Sequence, residues 1–66
     1  MSRERFRHKW LVVTDIETVT VWADSEAQAR SRAKWKAVHG AYFFRSRPEE
    51  LAAVRDCEVH EIKQLF

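Results

Sequence analysis

Two short runs of alternating side chains restrict the possible folds of this chain more than any other feature. Residues 6–14, FRHKWLVVT, and 17–23, ETVTVWA, are rich in β-branched and aromatic residues that recur with a period of two. This pattern is typical of half-buried β-strands. The segment between them, TDIET, supplies a turn of unspecified type, because it lacks an Asn-Gly or Asp-Gly pair. The sequence therefore predicts two strands joined by a turn.

The alternation also predicts which side chains share a face. In the second strand Val19, Val21 and Ala23 lie on one face, which suits a core beneath a helix. We expect Leu11 and Val13 of the first strand to join that core. The opposite face is then predicted to hold Phe6, His8, Trp10 and Val12 of the first strand and Thr18, Thr20 and Trp22 of the second. Trp10 and Trp22 would point the same way, away from the helix.

A capped helix is predicted to follow the second strand. Ser25 and Gln28 fit a capping box, and Glu26 lies near the positive end of the helix dipole. The helix is therefore expected to start at Ser25. Gly40 is well placed to end it, because glycine is common just past a helix C-terminus.

Alanines at every fourth position define the helix face that meets the sheet. Ala29, Ala33 and Ala37 form a narrow stripe that lets the helix backbone approach the sheet closely. Trp35 lies roughly 160° around the helix from Ala33, at about 100° per residue. We therefore expect Trp35 to meet a partner, a ligand or the following AYFF segment rather than the main core.

A second, shorter helix is predicted through PEELAAVR. Pro48 suits its first turn, with Ser46 and Glu49 as a cap pair, and Leu51 and Val54 are expected to face inward. The preceding residues 41–47, AYFFRSR, fit a strand, a core loop or a binding surface, and the pattern does not decide among them.

The end of the chain, CEVHEIKQLF, is interpreted as a third strand. Val59 and Ile62 break simple alternation, which a β-bulge or an early end of the strand explains. The elements together predict one small α+β domain over residues 1–66, a two-layer ββα(α)β arrangement with a three-stranded antiparallel sheet and the helices on one face. The first strand is expected to be central.

A chain of 66 residues gains little stability from its own core. Cys57 is the only cysteine, so no internal disulfide forms, and the scattered histidines do not fit a structural zinc site. We therefore expect a homodimer whose interface contains Phe6, Trp10, Thr20 and Trp22. Alternatively, the two tryptophans form a base-stacking platform, or the chain's own termini cover them.

No secretion signal or membrane span is predicted. The basic N-terminal residues are followed by an alternating segment that contains charges, and no run approaches the roughly 20 apolar residues that a membrane-spanning helix needs. The free cysteine fits a reducing compartment. We expect a cytoplasmic protein.

Positive charge is concentrated in the middle of the chain. Between Ala27 and Pro48 there are six basic residues and no acidic one, although the net charge is only +2. Such a face is often merely solvated surface, and that interpretation stays open. Arginine, however, binds phosphate through paired hydrogen bonds, and tryptophan and tyrosine stack on bases. We predict a site for a nucleotide or a nucleic acid made of Arg30, Arg32, Lys34, Trp35, Tyr42, Arg45 and Arg47.

No group of residues predicts catalysis, a cofactor or a metal site. Cys57 and His60 are spaced as C-x-x-H, but residues three apart in a strand point to opposite faces, so we expect a buried structural cysteine. The protein is predicted to be a non-enzyme. The alternative function is inhibition of a host protein, with Trp35 and AYFFR forming the contact surface.

The strand-to-helix junction carries one resemblance. Val21, Ala23, Ser25, Ala29 and Ala33, a strand ending in V-x-A-x-S followed by alanines at four-residue spacing, resemble many short proteins encoded by bacteriophages and mobile elements. The similarity covers about residues 10–37. It implies a phage accessory protein, a class that includes inhibitors of host defence and small nucleic-acid-handling proteins, and it assigns no site residue.

Overall fold

The computed structural model of the protein describes residues 8–66, so the prediction for Phe6 lies outside the described residues. The elements follow the order β1 (His8–Thr14), β2 (Thr18–Ala23), α1 (Glu26–Ala41), α2 (Arg47–Asp56) and β3 (Val59–Gln64). The three strands form one sheet in the order β2-β1-β3. The predicted α+β architecture is confirmed.

The antiparallel pairing confirms both the central first strand and the bulge. Val13 of β1 is paired with Glu61, whereas the next residue, Thr14, is paired with Val59. His60 is therefore the extra residue on β3. This irregularity lets both Val59 and Ile62 pack against the core.

The predicted facing of β1 is wrong. Trp10 is paired with Val21 and Val12 with Val19, so the even-numbered residues of β1 share the core face with the valines of β2. Leu11 and Val13 are not in the core; they lie on the opposite face, which we call the open face.

Buried hydrogen bonds explain this choice of face. The indole Nε1 of Trp10 donates to the carbonyl oxygen of Ala23 at 3.1 Å. The Thr14 hydroxyl donates to the carbonyl of Glu17 at 2.7 Å and accepts from the Ile16 and Glu17 amides. The indole N–H of Trp10 and the hydroxyl of Thr14 therefore both have hydrogen-bond partners on the core side, where an unpaired polar group would be costly.

Helix α1 covers the core face of the sheet. Ser25 is its N-cap and accepts from the amide of Gln28, as predicted. Ala29, Ala33 and Ala37 are completely buried in the same cluster as Trp10, which confirms the alanine stripe.

Gly40 does not end the helix. The helix continues to Ala41, and the amide of Tyr42, its C-cap residue, donates to Val38 at 3.0 Å. No residue in the described part of the chain has a positive φ, so no left-handed residue is needed to stop the helix.

Helix α2 lies against α1 with no fully buried residue. Ser46 caps it and Pro48 is in its first turn, as predicted. The inward orientation expected for Leu51 is wrong, because 46% of the residue is exposed, whereas Val54 is half-buried. Tyr42 to Ser46 form a loop between the helices rather than a strand.

Candidate functional site

A groove runs between the edge strand β2 and helix α1. It is open to solvent, has a volume of about 510 Å³, and is called the edge groove here. Its lining consists of Thr20, Val21, Trp22, Ser31, Arg32, Trp35 and Lys36. Two tryptophans and two cationic residues thus line one open groove.

Lys36 ties the helix to the rim of this groove. Its Nζ donates to the carbonyl oxygen of Thr20 at 2.9 Å. Since β2 is an edge strand, this carbonyl is one of the backbone groups that another strand could otherwise pair with. Lys36 therefore blocks strand addition locally and keeps its charge beside the groove.

A second groove, the loop groove, lies where α1 passes into α2. It has a volume of about 570 Å³ and is lined by His39, Tyr42, Phe43, Phe44, Arg45, Ser46, Arg47 and Glu50. The rings of Tyr42 and Phe44 lie 6.0 Å apart. Phe43 is 95% exposed, which shows that at least this part of AYFF is surface rather than core.

Trp35 joins the two grooves. Its ring meets the His39 ring edge-on with centroids 5.3 Å apart, and the guanidinium carbon of Arg47 lies 5.5 Å from its centroid. His39 and Arg47 both line the loop groove, whereas Trp35 lines the edge groove. Trp35 is half-buried by these neighbours, away from the alanine stripe.

Glu50 is the acidic residue among those that line the loop groove. One oxygen of its carboxylate contacts Nε2 of His39, and the other lies 3.0 Å from Nη1 of Arg47. The salt bridges fix Arg47 over Trp35 and offset part of the positive charge. A cation held by a carboxylate is pre-positioned, but it attracts an anion less strongly than an unpaired one.

The predicted ligand residues divide among three places. Arg32 and Trp35 line the edge groove, and Tyr42, Arg45 and Arg47 line the loop groove. Arg30 and Lys34 line neither groove; Arg30 pairs with Glu26 at 3.5 Å, and Lys34 lies close enough to Cys57 to influence its thiol.

Four side chains that the fold adds to these surfaces are not among the predicted ligand residues. The sequence pattern predicts Lys36 only as part of the basic cluster and Trp22 only in a dimer interface, and it predicts no ligand for His39 or Phe44. The edge position of β2 is the signal that could have found Trp22, because it brings this residue to the rim of the edge groove although its ring lies on the open face. The sequence pattern predicts the strand order correctly, but its prediction that Trp10 shares a face with Trp22 is wrong.

The open face of the sheet is not covered by a helix. It carries Lys9, Leu11 and Val13 of β1, Thr18, Thr20 and Trp22 of β2, and Glu61 and Lys63 of β3. Phe66 folds back over it, and its amide shares the Lys9 carbonyl with the Leu65 amide. Trp10 does not belong to this face, so the predicted pairing of Trp10 and Trp22 in one interface is wrong.

Cys57 is buried and lies at the end of α2, whereas His60 is exposed on β3. Burial raises the pKa of the Cys57 thiol, and the neighbouring Asp15 carboxylate raises it further through a hydrogen bond and through its charge. Thr14 and Lys34 act in the opposite direction. A protonated buried thiol is a poor nucleophile, which agrees with the structural role expected for this cysteine.

Within residues 8–66, no three side chains of His, Cys, Asp or Glu come together in a way that could hold a metal ion. No helix in that range is long and apolar enough to cross a membrane. Comparisons of the chain with protein-family models, with curated proteins and with solved structures gave no match.

Proposed function

We propose that the protein binds a nucleotide-type anion in the edge groove, with a base stacked on Trp35 and phosphate held by cationic side chains. The observation that carries this proposal is the meeting of Trp22, Trp35, Arg32 and Lys36 in one groove. Stacking on an aromatic side chain contributes about 1–3 kcal/mol per base.

Side chains must hold the phosphate in this proposal. The sole glycine, Gly40, lies inside α1, so the chain has no glycine-rich loop to cradle phosphate with backbone amides. Arg32 supplies a planar donor pair suited to phosphate, and Lys36 supplies a point charge. No catalytic step is part of the proposal.

We also propose that the protein is a homodimer through the open face. Leu11, Val13 and Trp22 form an apolar strip there that no helix covers. Leu11 is level with Lys63, and Val13 with Glu61. Two such sheets can pack face to face about a two-fold axis that runs perpendicular to the strands, midway between the Leu11–Lys63 pair and the Val13–Glu61 pair. This axis places Glu61 of one protomer opposite Lys63 of the partner subunit, so the packing of the two sheets also pairs opposite charges.

A second candidate function is inhibition of a host protein through the loop groove. The 95% exposure of Phe43, which lines the loop groove together with Arg45, favours it, because aromatic and arginine side chains are enriched among the residues that contribute most to protein–protein binding. The resemblance to phage proteins is compatible with both functions, and a phage or mobile-element origin remains part of the proposal.

Ligand binding is tested by tryptophan emission during titration with adenosine monophosphate and with a ten-residue oligothymidylate at low salt. We expect quenching by at least one of them, and about tenfold or greater weakening in Arg32→Gln, since hydrogen bonds to charged groups contribute about 1.5–3 kcal/mol. Arg55→Gln is the matched control, because Arg55 is 77% exposed at its side chain and lines neither groove.

Absence of any response to either ligand would overturn the nucleotide proposal. Equal weakening by Arg32→Gln and Arg55→Gln would show general charge attraction rather than a site. Trp35→Leu keeps the groove apolar but removes the large ring, and it is expected to weaken binding without changing the salt dependence.

The dimer is tested by sedimentation over a range of concentrations. Trp22→Glu is expected to give folded monomers, because Trp22 is 48% exposed in the protomer. Leu51→Glu is a control of similar exposure on α2 and should leave the dimer intact. A wild-type protein that stays monomeric at every concentration would exclude this interface.

A further inference from the structure

We infer that the edge groove and the loop groove form one continuous track for single-stranded nucleic acid, so that the ligand is a strand of several nucleotides rather than a free nucleotide. This inference rests on the proposed function and adds the substrate class. It assigns a binding role to Tyr42, Phe44 and Arg45, which lie beyond the edge groove.

Continuity through Trp35 is the first argument. The two grooves share no lining residue, yet Trp35 of one contacts His39 and Arg47 of the other, at 5.3 Å and 5.5 Å. A chain leaving the edge groove over Trp35 therefore reaches the loop groove without crossing an intervening element.

The charges along the track are the second argument. The edge groove contributes Arg32 and Lys36, and the loop groove contributes Arg45 and Arg47. Near the junction, the carboxylate of Glu50 offsets the charges of Arg47 and His39. Within the described part of the chain, Arg45 makes one hydrogen bond, from its backbone amide to Glu49, and its guanidinium makes no salt bridge. Cations at both ends suit the repeated phosphates of a strand better than a single phosphate group.

The aromatic rings point to a single strand rather than a duplex. Trp22 and Trp35 line one groove, and Tyr42 and Phe44 line the other with their rings 6.0 Å apart. Such rings bind bases whose faces are accessible, and a duplex buries those faces in its own stack. Both grooves are open surfaces, which fits a chain that enters and leaves, whereas free nucleotides are usually held in enclosed pockets.

The experiment compares oligothymidylates of two, five and ten nucleotides with thymidine monophosphate, using fluorescence anisotropy or calorimetry on the whole protein. We expect the ten-nucleotide ligand to bind at least about tenfold more tightly than the dinucleotide. Each phosphate contact makes the slope of log affinity against log salt more negative by about 0.7, so the slope should change from about −1.4 for a 5′-phosphorylated dinucleotide with two contacts to about −2.8 for the ten-nucleotide ligand with four.

Arg45→Gln separates the two grooves. It should weaken binding of the ten-nucleotide ligand about fivefold or more and leave the dinucleotide unchanged, whereas Arg32→Gln should weaken both. Arg55→Gln is the control of equal charge change. Circular dichroism checks that each variant folds, and the exposure of Arg45 makes a folded variant the expected result.

Each contrary outcome contradicts a defined part of the argument. Equal affinity for thymidine monophosphate and the ten-nucleotide ligand would overturn the track and leave the nucleotide site in place. The ten-nucleotide ligand is also titrated as its duplex with oligoadenylate, and equal affinity for the single strand and the duplex would overturn the single-strand assignment. Absence of binding to all of these ligands would overturn both this inference and the proposed function and favour a protein target.

Discussion

The ring of Phe66 stacks on the ring of Trp22, with centroids 6.2 Å apart and planes inclined by 27°. The ammonium of Lys9 lies 5.9 Å from each centroid. The Phe66 carbonyl accepts from Gln64 at 2.9 Å and lies 3.1 Å from Nδ1 of His8. Residues from the far edge strand thus reach across β1 to Trp22, and the chain covers part of the open face by itself.

Replacing Phe66 with alanine should lower the free energy of unfolding by about 0.5–1.5 kcal/mol, the usual contribution of an aromatic pair beyond its buried area. The tryptophan emission should shift to longer wavelength as Trp22 becomes more exposed to water. Urea titration measures the first effect and steady-state fluorescence the second.

Phe43→Ala is the matched control, since Phe43 is 95% exposed. A surface substitution of this kind usually changes stability by no more than about 0.5 kcal/mol. Equal losses in the two variants would show that the stack on Trp22 contributes nothing specific.

Trp10→Phe tests the corrected facing of β1. The variant keeps an aromatic ring in the core but removes the indole donor, which leaves the Ala23 carbonyl without this partner. We expect a loss of about 1–3 kcal/mol in the free energy of unfolding. Trp22→Phe loses no such bond and should lower the free energy of unfolding clearly less in a urea titration of both variants. A larger loss in Trp22→Phe than in Trp10→Phe would instead support the predicted facing, with Trp10 outside the core.

The first strand shows where alternation alone fails. Both of its alternating sets of side chains are apolar, with Trp10 and Val12 in one set and Leu11 and Val13 in the other. The period of two therefore does not show which set is buried. Hydrogen bonds select it, because the Trp10 indole and the Thr14 hydroxyl find partners only once the turn and β2 are in place. In β2 the two alternating sets of side chains differ in polarity, and the predicted burial of Val19, Val21 and Ala23 is confirmed.

The candidate site was predictable only in part for a related reason. Basic residues at positions 30, 32, 34 and 36 look like one cluster in the sequence, but at about 100° per residue they fall on two nearly opposite helix faces, Arg30 with Lys34 and Arg32 with Lys36. The helical spacing alone gives this pairing, but only the position of β2 shows that the face with Arg32 and Lys36 lines a groove while Arg30 and Lys34 lie outside both grooves. Trp35 was correctly separated from the alanine stripe because its angle depends on the helix alone.

Ala33→Leu tests the close approach of α1 to the sheet. Ala33 is fully buried at the centre of the alanine stripe, so the larger side chain has no space and should cost about 1–3 kcal/mol through overpacking. Ala27→Leu makes the same change on the same helix at an exposed position and should be nearly neutral. Thermal unfolding of both variants measures the difference, and a neutral Ala33→Leu would mean that the helix stands further from the sheet.

The environment of Cys57 gives a pH-dependent prediction. Burial is the largest cause of its raised pKa, followed by the hydrogen bond and the charge of Asp15. Because the folded state holds the thiol proton more tightly than the unfolded chain, whose thiol has an ordinary pKa near 9.0, this contribution to stability is complete below that pH. It is lost as the pH rises through the folded pKa, so the free energy of unfolding should fall in that alkaline window.

The measurement is the rate of thiol alkylation against pH, with the unfolded protein in urea as the reference. Wild-type Cys57 should react more slowly than the reference, with its midpoint at higher pH. Asp15→Asn keeps an oxygen that can accept from the Glu58 amide, a bond of 3.2 Å in the wild type, but removes the charge, so it should lower the midpoint while burial still holds it above that of the unfolded chain. Alkylation at the reference rate in the folded wild type would show that the thiol is neither buried nor influenced by Asp15.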